Sequence, residues 1–246
     1  MPPIVWKLDK ATEHDVHVLR PSEIAGGPLP VLYLLQGQRN LPEECVEQGA
    51  LKDALQQAGI DNLLLVMPLC VQERLLDTSK QKEPNVDVFL SRFQGVKQWA
   101  ESTYNVDPAR QGLLGISMGG KQALLVGLND VATYSALGIL SAKLDGKDDA
   151  DYKAVVKRCP GLAGPQQLGA KPPLYFHYCG TGQNTDKGPD TEMRFYANNL
   201  MVCEKIAGPG SLRVGEGSRH SWHFWRLQLR NFLVELRAHW WPASGT

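Results

Sequence analysis

Three short apolar runs, each followed by a stretch of helical spacing, restrict this chain of 246 residues more than anything else in it. They are Pro30-Val-Leu-Tyr-Leu-Leu35, Asn62-Leu-Leu-Leu-Val-Met67 and Arg110-Gln-Gly-Leu-Leu114, the last ending in a leucine pair. A strand that is apolar on successive residues, rather than alternately, is buried on both faces of its sheet. Strands of that kind alternating with helices build a parallel sheet with helices on both sides. The chain is therefore read as α/β, with a mostly parallel central sheet.

The remaining elements follow from spacing and breakers. Residues 4–20 read as one or two early strands, with His14 and His17 as surface or strand histidines. Leu51, Ala54, Leu55 and Ala58 recur at helical spacing, which predicts one helix over 42–58 stopped by Gly59. Phe89, Phe93, Val96, Trp99 and Ala100 form one stripe, predicting a helix from Val88 to Tyr104 whose stripe packs the core. Asn105-Val-Asp-Pro108 reads as a turn before the Arg110–Leu114 strand, and Lys121–Leu128 as a helix. Later strands are expected at Tyr134–Ser141, Pro172–Cys179 and Ser211–Val214. Later helices are expected at Asp148–Arg158, at 190–207 with Pro189 at its start, and at Arg226–His239. Residues 71–86 form a polar loop, and 142–171 a cap or insertion rich in charge, glycine and proline. No linker divides the chain, so 1–246 is read as one domain.

Composition removes several classes of function. Twenty-six basic and 26 acidic side chains cancel, which points away from nucleic acid or an acidic membrane surface as partner. No apolar run approaches the roughly 20 residues of a membrane span. Five scattered cysteines without a C-x-x-C pair argue against a metal site or redox pair. Free thiols fit a reducing cytoplasm, and the first ten residues lack the apolar core of a signal peptide.

Between the Arg110–Leu114 strand and the Lys121–Leu128 helix lies Gly115-Ile-Ser-Met-Gly-Gly120, a G-x-S-x-G at a strand-to-helix turn. A serine hydroxyl is a weak nucleophile until a base takes its proton. A tight turn pushes the oxygen of Ser117 out of the sheet, toward that base, and small neighbours relieve the crowding. The backbone N–H of Met118, at the start of the helix, can meet a developing oxyanion. A second donor is expected from the loop after the first central strand, where Gly37 lets the backbone turn and Gln38 N–H follows.

In this arrangement the acid and then the histidine come after the serine. Of the four downstream histidines, His177 lies inside a strand and His239 near the end of the last helix. His220 sits in a glycine-flanked loop where a base can reach the strand tips, with His223 its rival. The acid must hold the imidazole in the correct tautomer. Asp186, in the loop after the Pro172–Cys179 strand, is the choice. Asp190 and Glu192, in the first helical turn, are explained by the positive end of the helix.

Leu29–Gly37, Val106–Arg110, Gly115–Gly120 and Arg219-His-Ser-Trp-His-Phe-Trp225 together resemble the esterase branch of the α/β-hydrolases. That branch includes S-formylglutathione hydrolase, feruloyl esterases, enterochelin esterases and mycolyltransferases. Tyr178-Cys-Gly-Thr-Gly182 and His220-Ser-Trp222 are most similar to the mycolyltransferases, which suggest a helix-borne acid as the alternative to a loop acid. The resemblance implies a three-layer α/β-hydrolase fold, Ser117 as nucleophile, His220 as base, and the N–H groups of Gln38 and Met118 as oxyanion hole. Trp222 and Trp225 match aromatic positions after the histidine and are expected to pack the last helix. The implied reaction is hydrolysis of a small carboxylic ester through acyl-Ser117, with no metal or cofactor. Acyl transfer to a second alcohol is the alternative within the enzyme class, and a non-catalytic binding module the alternative outside it.

Overall fold

All six residues of the first apolar run, and Leu29 before them, are buried, and the sheet extends to both sides of them. The computed structural model describes residues 5–11, 16–23, 26–38, 40–69, 86–145, 150–157, 174–182, 184–185, 188–189 and 191–242. Along the chain it forms β1 (Trp6–Ala11), β2 (Val16–Pro21), β3 (Leu29–Leu35), α1 (Pro42–Glu47), α2 (Leu51–Gln57), β4 (Leu64–Pro68) and α3 (Val86–Thr103). There follow β5 (Val106–Ile116), α4 (Met118–Asn129), β6 (Ala136–Leu140), α5 (Ala150–Lys157) and β7 (Leu174–Gly180). A two-residue pair, β8 (Asn184–Thr185) and β9 (Gly188–Pro189), precedes α6 (Thr191–Ala207), β10 (Arg213–Gly215) and α7 (Trp222–Trp240).

Eight strands form one sheet in the order β1-β2-β4-β3-β5-β6-β7-β10. β1, β2 and β4 pair antiparallel to one another in turn, and every junction from β4 to β10 is parallel. Alternate residues of β3 separate the two cores. Tyr33 and Leu35 join α3, α4, α5 and α6 on one face, and Leu32 and Leu34 join α1, α2 and α7 on the other. The result is the three-layer α/β-hydrolase arrangement. Because β4 lies on one side of β3 and β5 on the other, the strand order reverses at β3. The carboxyl ends of β3 and β5 therefore open a crevice of the kind in which α/β sheets bind ligands.

Local packing redraws three sequence expectations. The helix over 42–58 is two helices: the N–H groups of Gln48 and Gly49 both close on Glu44 O, and Ala50 takes a left-handed φ of 47°. The turn at 105–108 is instead a bulge within β5, because Leu29 pairs with Val106 but Val31 pairs with Gln111. Asp107 ties that bulge, accepting from Ala109 N–H and from Arg110 Nε. The last helix starts four residues earlier than the expected Arg226, at Trp222. Residues 71–85 and 158–171, and with them most of the expected loop and cap, lie outside the described residues. Among the described residues, no helix is long and apolar enough to cross a membrane.

His177, in β7, is fixed within the fold as its strand position implied. Its Nε2–H donates to Asn199 Oδ1 and its Nδ1 accepts from Tyr175 O–H, both at 2.7 Å. Burial pulls its pKa down from the ordinary 6.5 to about 4, with the Asn199 bond opposing. The unfolded chain therefore binds the extra proton first, and stability is lost as pH falls below 6.5 toward 4. The loss should reach about 3 kcal/mol. Urea unfolding of wild type and His177→Gln at pH 7.5 and pH 4 checks this. The stability gap between the two proteins should shrink in acid, and a constant gap would sink the assignment.

Candidate active site

Ser117 joins β5 to α4 with φ 56° and ψ −116°, a conformation that costs a non-glycine residue energy. Its neighbours explain why the turn needs glycine. A Cβ on Gly119 would lie 1.9 Å from Leu35 O, and one on Gly115 would lie 2.1 Å from Gly119 O. The start of α4 is thus pressed against the ends of β3 and β5. Backbone bonds hold the strained residue: Ser117 N–H donates to Leu140 O, and Ser117 O accepts from Lys121 and Lys143 N–H.

His220 comes from the loop between β10 and α7. Its Nε2 accepts from Ser117 O–H at 2.8 Å, and its Nδ1–H donates to Glu192 Oε2 at 2.6 Å. Two aromatic rings fix the imidazole edge to face, Trp225 at 4.6 Å and Phe195 at 5.3 Å between centroids. His223 is exposed on the first turn of α7, with its ring against Phe224. The structure therefore brings together the expected serine and histidine.

The acid is corrected. The carboxylate on the imidazole is Glu192, not Asp186; Asp186 and Asp190 lie outside the described residues. A neutral imidazole has one Nδ1–H to give, and Glu192 takes it. Although it opens α6, Glu192 is fully buried. Its Oε1 accepts from Gly180 N–H at 2.7 Å and from the Ser141 hydroxyl. Ser141, itself at φ 51°, also accepts from Trp225 Nε1–H at 3.1 Å. The Cys179 thiol, 3.7 Å from the same carboxylate, is pushed up by burial and by that negative charge. A signal for Glu192 lay in the sequence. Glu192, Phe195, Asn199, Val202, Cys203 and Ile206 recur at helical spacing, and all are buried. Its place on that stripe puts its side chain inward, where compensation of the helix end is not its only work.

Trp225 also departs from expectation. It packs α7, but it touches the imidazole and lines the cavity in front of Ser117. That cavity holds about 390 Å³ and is also lined by Gln38, Phe195 and His220. A Cβ on Gly37 would stand 3.6 Å from the Ser117 Cβ, so the loop after β3 passes beside the nucleophile. Gln38 follows Gly37, and Met118 is the first residue of α4.

Solved structures share this architecture. A ferulic acid esterase superposes with a TM-score of 0.69 at 18% identity, covering 96% of this chain and 98% of its own. An S-formylglutathione hydrolase from Staphylococcus aureus gives 0.65 at 14% identity, covering 95% of both chains. A fluorophosphonate-binding serine hydrolase of the same organism gives 0.66 at 14%, covering 95% of this chain and 98% of its own. At these identities the likeness establishes the fold. A comparison with curated protein sequences finds no match. The sequence model of one family, described as "Putative esterase", matches residues 10–236. With a match that spans β3, β4 and β5, the Ser117 turn and the His220 loop, the chain belongs to that esterase family of the α/β-hydrolases.

Proposed function

We propose that the protein hydrolyses small carboxylic esters through an acyl-Ser117 intermediate, with His220 as general base and acid and Glu192 as its orienting carboxylate. One observation carries this: the continuous hydrogen-bonded relay from Ser117 Oγ through His220 to Glu192, opening on a cavity. His220 Nε2 takes the Ser117 proton as Oγ bonds to the ester carbonyl carbon. The negative charge that forms on the carbonyl oxygen meets the N–H groups of Gln38 and Met118. The imidazolium, held by Glu192, then protonates the departing alcohol as the tetrahedral intermediate collapses to acyl-Ser117. Water enters, gives its proton to His220 and attacks the acyl carbon; the acid leaves and Ser117 regains its proton. The same steps use no metal or organic cofactor. Free, buried Cys45, Cys179 and Cys203 support a reducing compartment such as the cytoplasm.

Two measurements test the reading. A fluorophosphonate probe should label native protein at Ser117 and fail to label heat-denatured protein. A panel of aryl esters of increasing acyl length should show saturable turnover. Protein that is folded, unlabelled and inactive on the whole panel would instead be a binding module built on this fold.

A further inference from the structure

One wall of the cavity carries two cations and one acid. Lys143 Nζ lies 3.2 Å from Gln38 Oε1 and 3.9 Å from Asp145 Oδ2. Arg194 Nη2 donates to Asp145 Oδ1 at 3.1 Å. All three charged side chains line the space in front of Ser117 and His220. Among the described residues that line the cavity, one carboxylate therefore serves two cations, which leaves a net positive charge. Asp145 is also the deeper group: its side chain is 23% exposed, and that of Arg194 is 65% exposed. The guanidinium has five N–H donors and commits one to Asp145, so it retains a free edge toward solvent and ligand. Glu44 of α1 accepts from Asn40 Nδ2 and is not among the residues that line the cavity.

The position of Arg194 tells which half of an ester it meets. The leaving oxygen must reach His220 Nε2 to receive its proton. Phe195 packs against that imidazole, and Arg194 is the residue before it on α6. An alcohol leaving past His220 thus runs along α6 to Arg194, while the acyl group stays at Ser117. We infer that the preferred substrates are esters whose alcohol portion carries an anionic group, bound by Arg194 and Lys143. Asp145 holds the two cations in place until that group arrives. The inference rests on the ester-hydrolase reading and narrows it to a substrate class.

The test compares acetyl esters that differ in charge at one position: 3-acetoxybenzoate, its uncharged methyl ester, 3-acetoxyphenyl phosphate and 3-acetoxy-N,N,N-trimethylanilinium. In the wild type, kcat/KM for an anionic ester should exceed that for the methyl ester by roughly tenfold, mostly through KM, as a charge-assisted contact allows. Whether benzoate or phosphate gains more tells which anion the site fits. The ratio cancels any general loss of activity. It should fall toward one in Arg194→Gln and Lys143→Gln, rise in Asp145→Asn, and shrink with added salt. Arg194→Glu should reverse the ranking in favour of the trimethylanilinium ester. Turnover of the methyl ester without an anionic preference overturns this inference alone, as does a wild-type preference for the cation. No turnover of any of the four overturns the hydrolase reading and this inference with it.

Discussion

Ser117→Ala is expected to abolish ester turnover while the protein stays folded. The substitution removes one oxygen, which among the described residues bonds to His220 Nε2 alone. Alanine meets the same backbone strain as serine, so stability should barely change. Activity has no substitute nucleophile, and kcat should fall by roughly 10⁵- to 10⁶-fold, the loss seen when the serine of a comparable relay is removed. His220→Ala should reach the same floor, and the double variant should fall no further, because the two residues act as one unit. Ser117→Gly should be equally inactive yet more heat-stable than wild type, since glycine accepts φ 56° without the penalty. Single-turnover kinetics and thermal unfolding on the four proteins decide the matter. A Ser117→Ala protein retaining more than about a hundredth of wild-type kcat would displace Ser117 from the centre of the chemistry.

The fold was legible because its central strands announce themselves. A run such as Leu63-Leu-Leu-Val-Met67 has no polar side to turn to water, so it belongs in the middle of a sheet, and the structure buries it there. Ser117 was legible for a related reason: the glycines around it mark a backbone crossing that no side chain fits, visible as the 1.9 Å contact between a Cβ on Gly119 and Leu35 O. His220 followed from chain order. What stayed hidden depends on partners distant in sequence. The break between α1 and α2 has no proline and a single glycine. The bulge at 107–110 is defined only against β3. Trp225 read as packing because nothing nearby in sequence shows that the imidazole lies on it. Glu192 is the clearest case. A carboxylate in a first helical turn has a local explanation, and only Ser141, Gly180 and His220, 51, 12 and 28 residues away, show that it is buried and bonded on both oxygens.

Glu192→Gln is therefore the substitution that should separate the structural reading of the acid from the sequence reading. Glutamine keeps the size of the side chain but exchanges one acceptor for a donor. Both carboxylate oxygens of Glu192 accept: Oε2 from His220 Nδ1–H, and Oε1 from Gly180 N–H and the Ser141 hydroxyl. If the amide N–H₂ faces the imidazole, Nδ1 must become the acceptor. The ring proton then moves to Nε2, and His220 can no longer take the proton of Ser117. If the amide is turned the other way, its N–H₂ meets Gly180 N–H, two buried donors facing each other. The first arrangement costs less, because an imidazole changes tautomer more readily than a backbone amide gives up its partner. It is also the one that disables the base. Loss of the orienting aspartate through the wrong tautomer lowers kcat by about 10⁴-fold in serine proteases, so Glu192→Gln should cost roughly 10²- to 10⁴-fold here. KM should change little, since Glu192 reaches the substrate only through His220. Asp186→Asn should lose less than about tenfold, since the Nδ1–H of His220 is already given to Glu192. Steady-state kinetics on one aryl ester, with circular dichroism to show that both variants are folded, measures the difference. An active Glu192→Gln beside a dead Asp186→Asn would mean that the relay seen here is not the one that works.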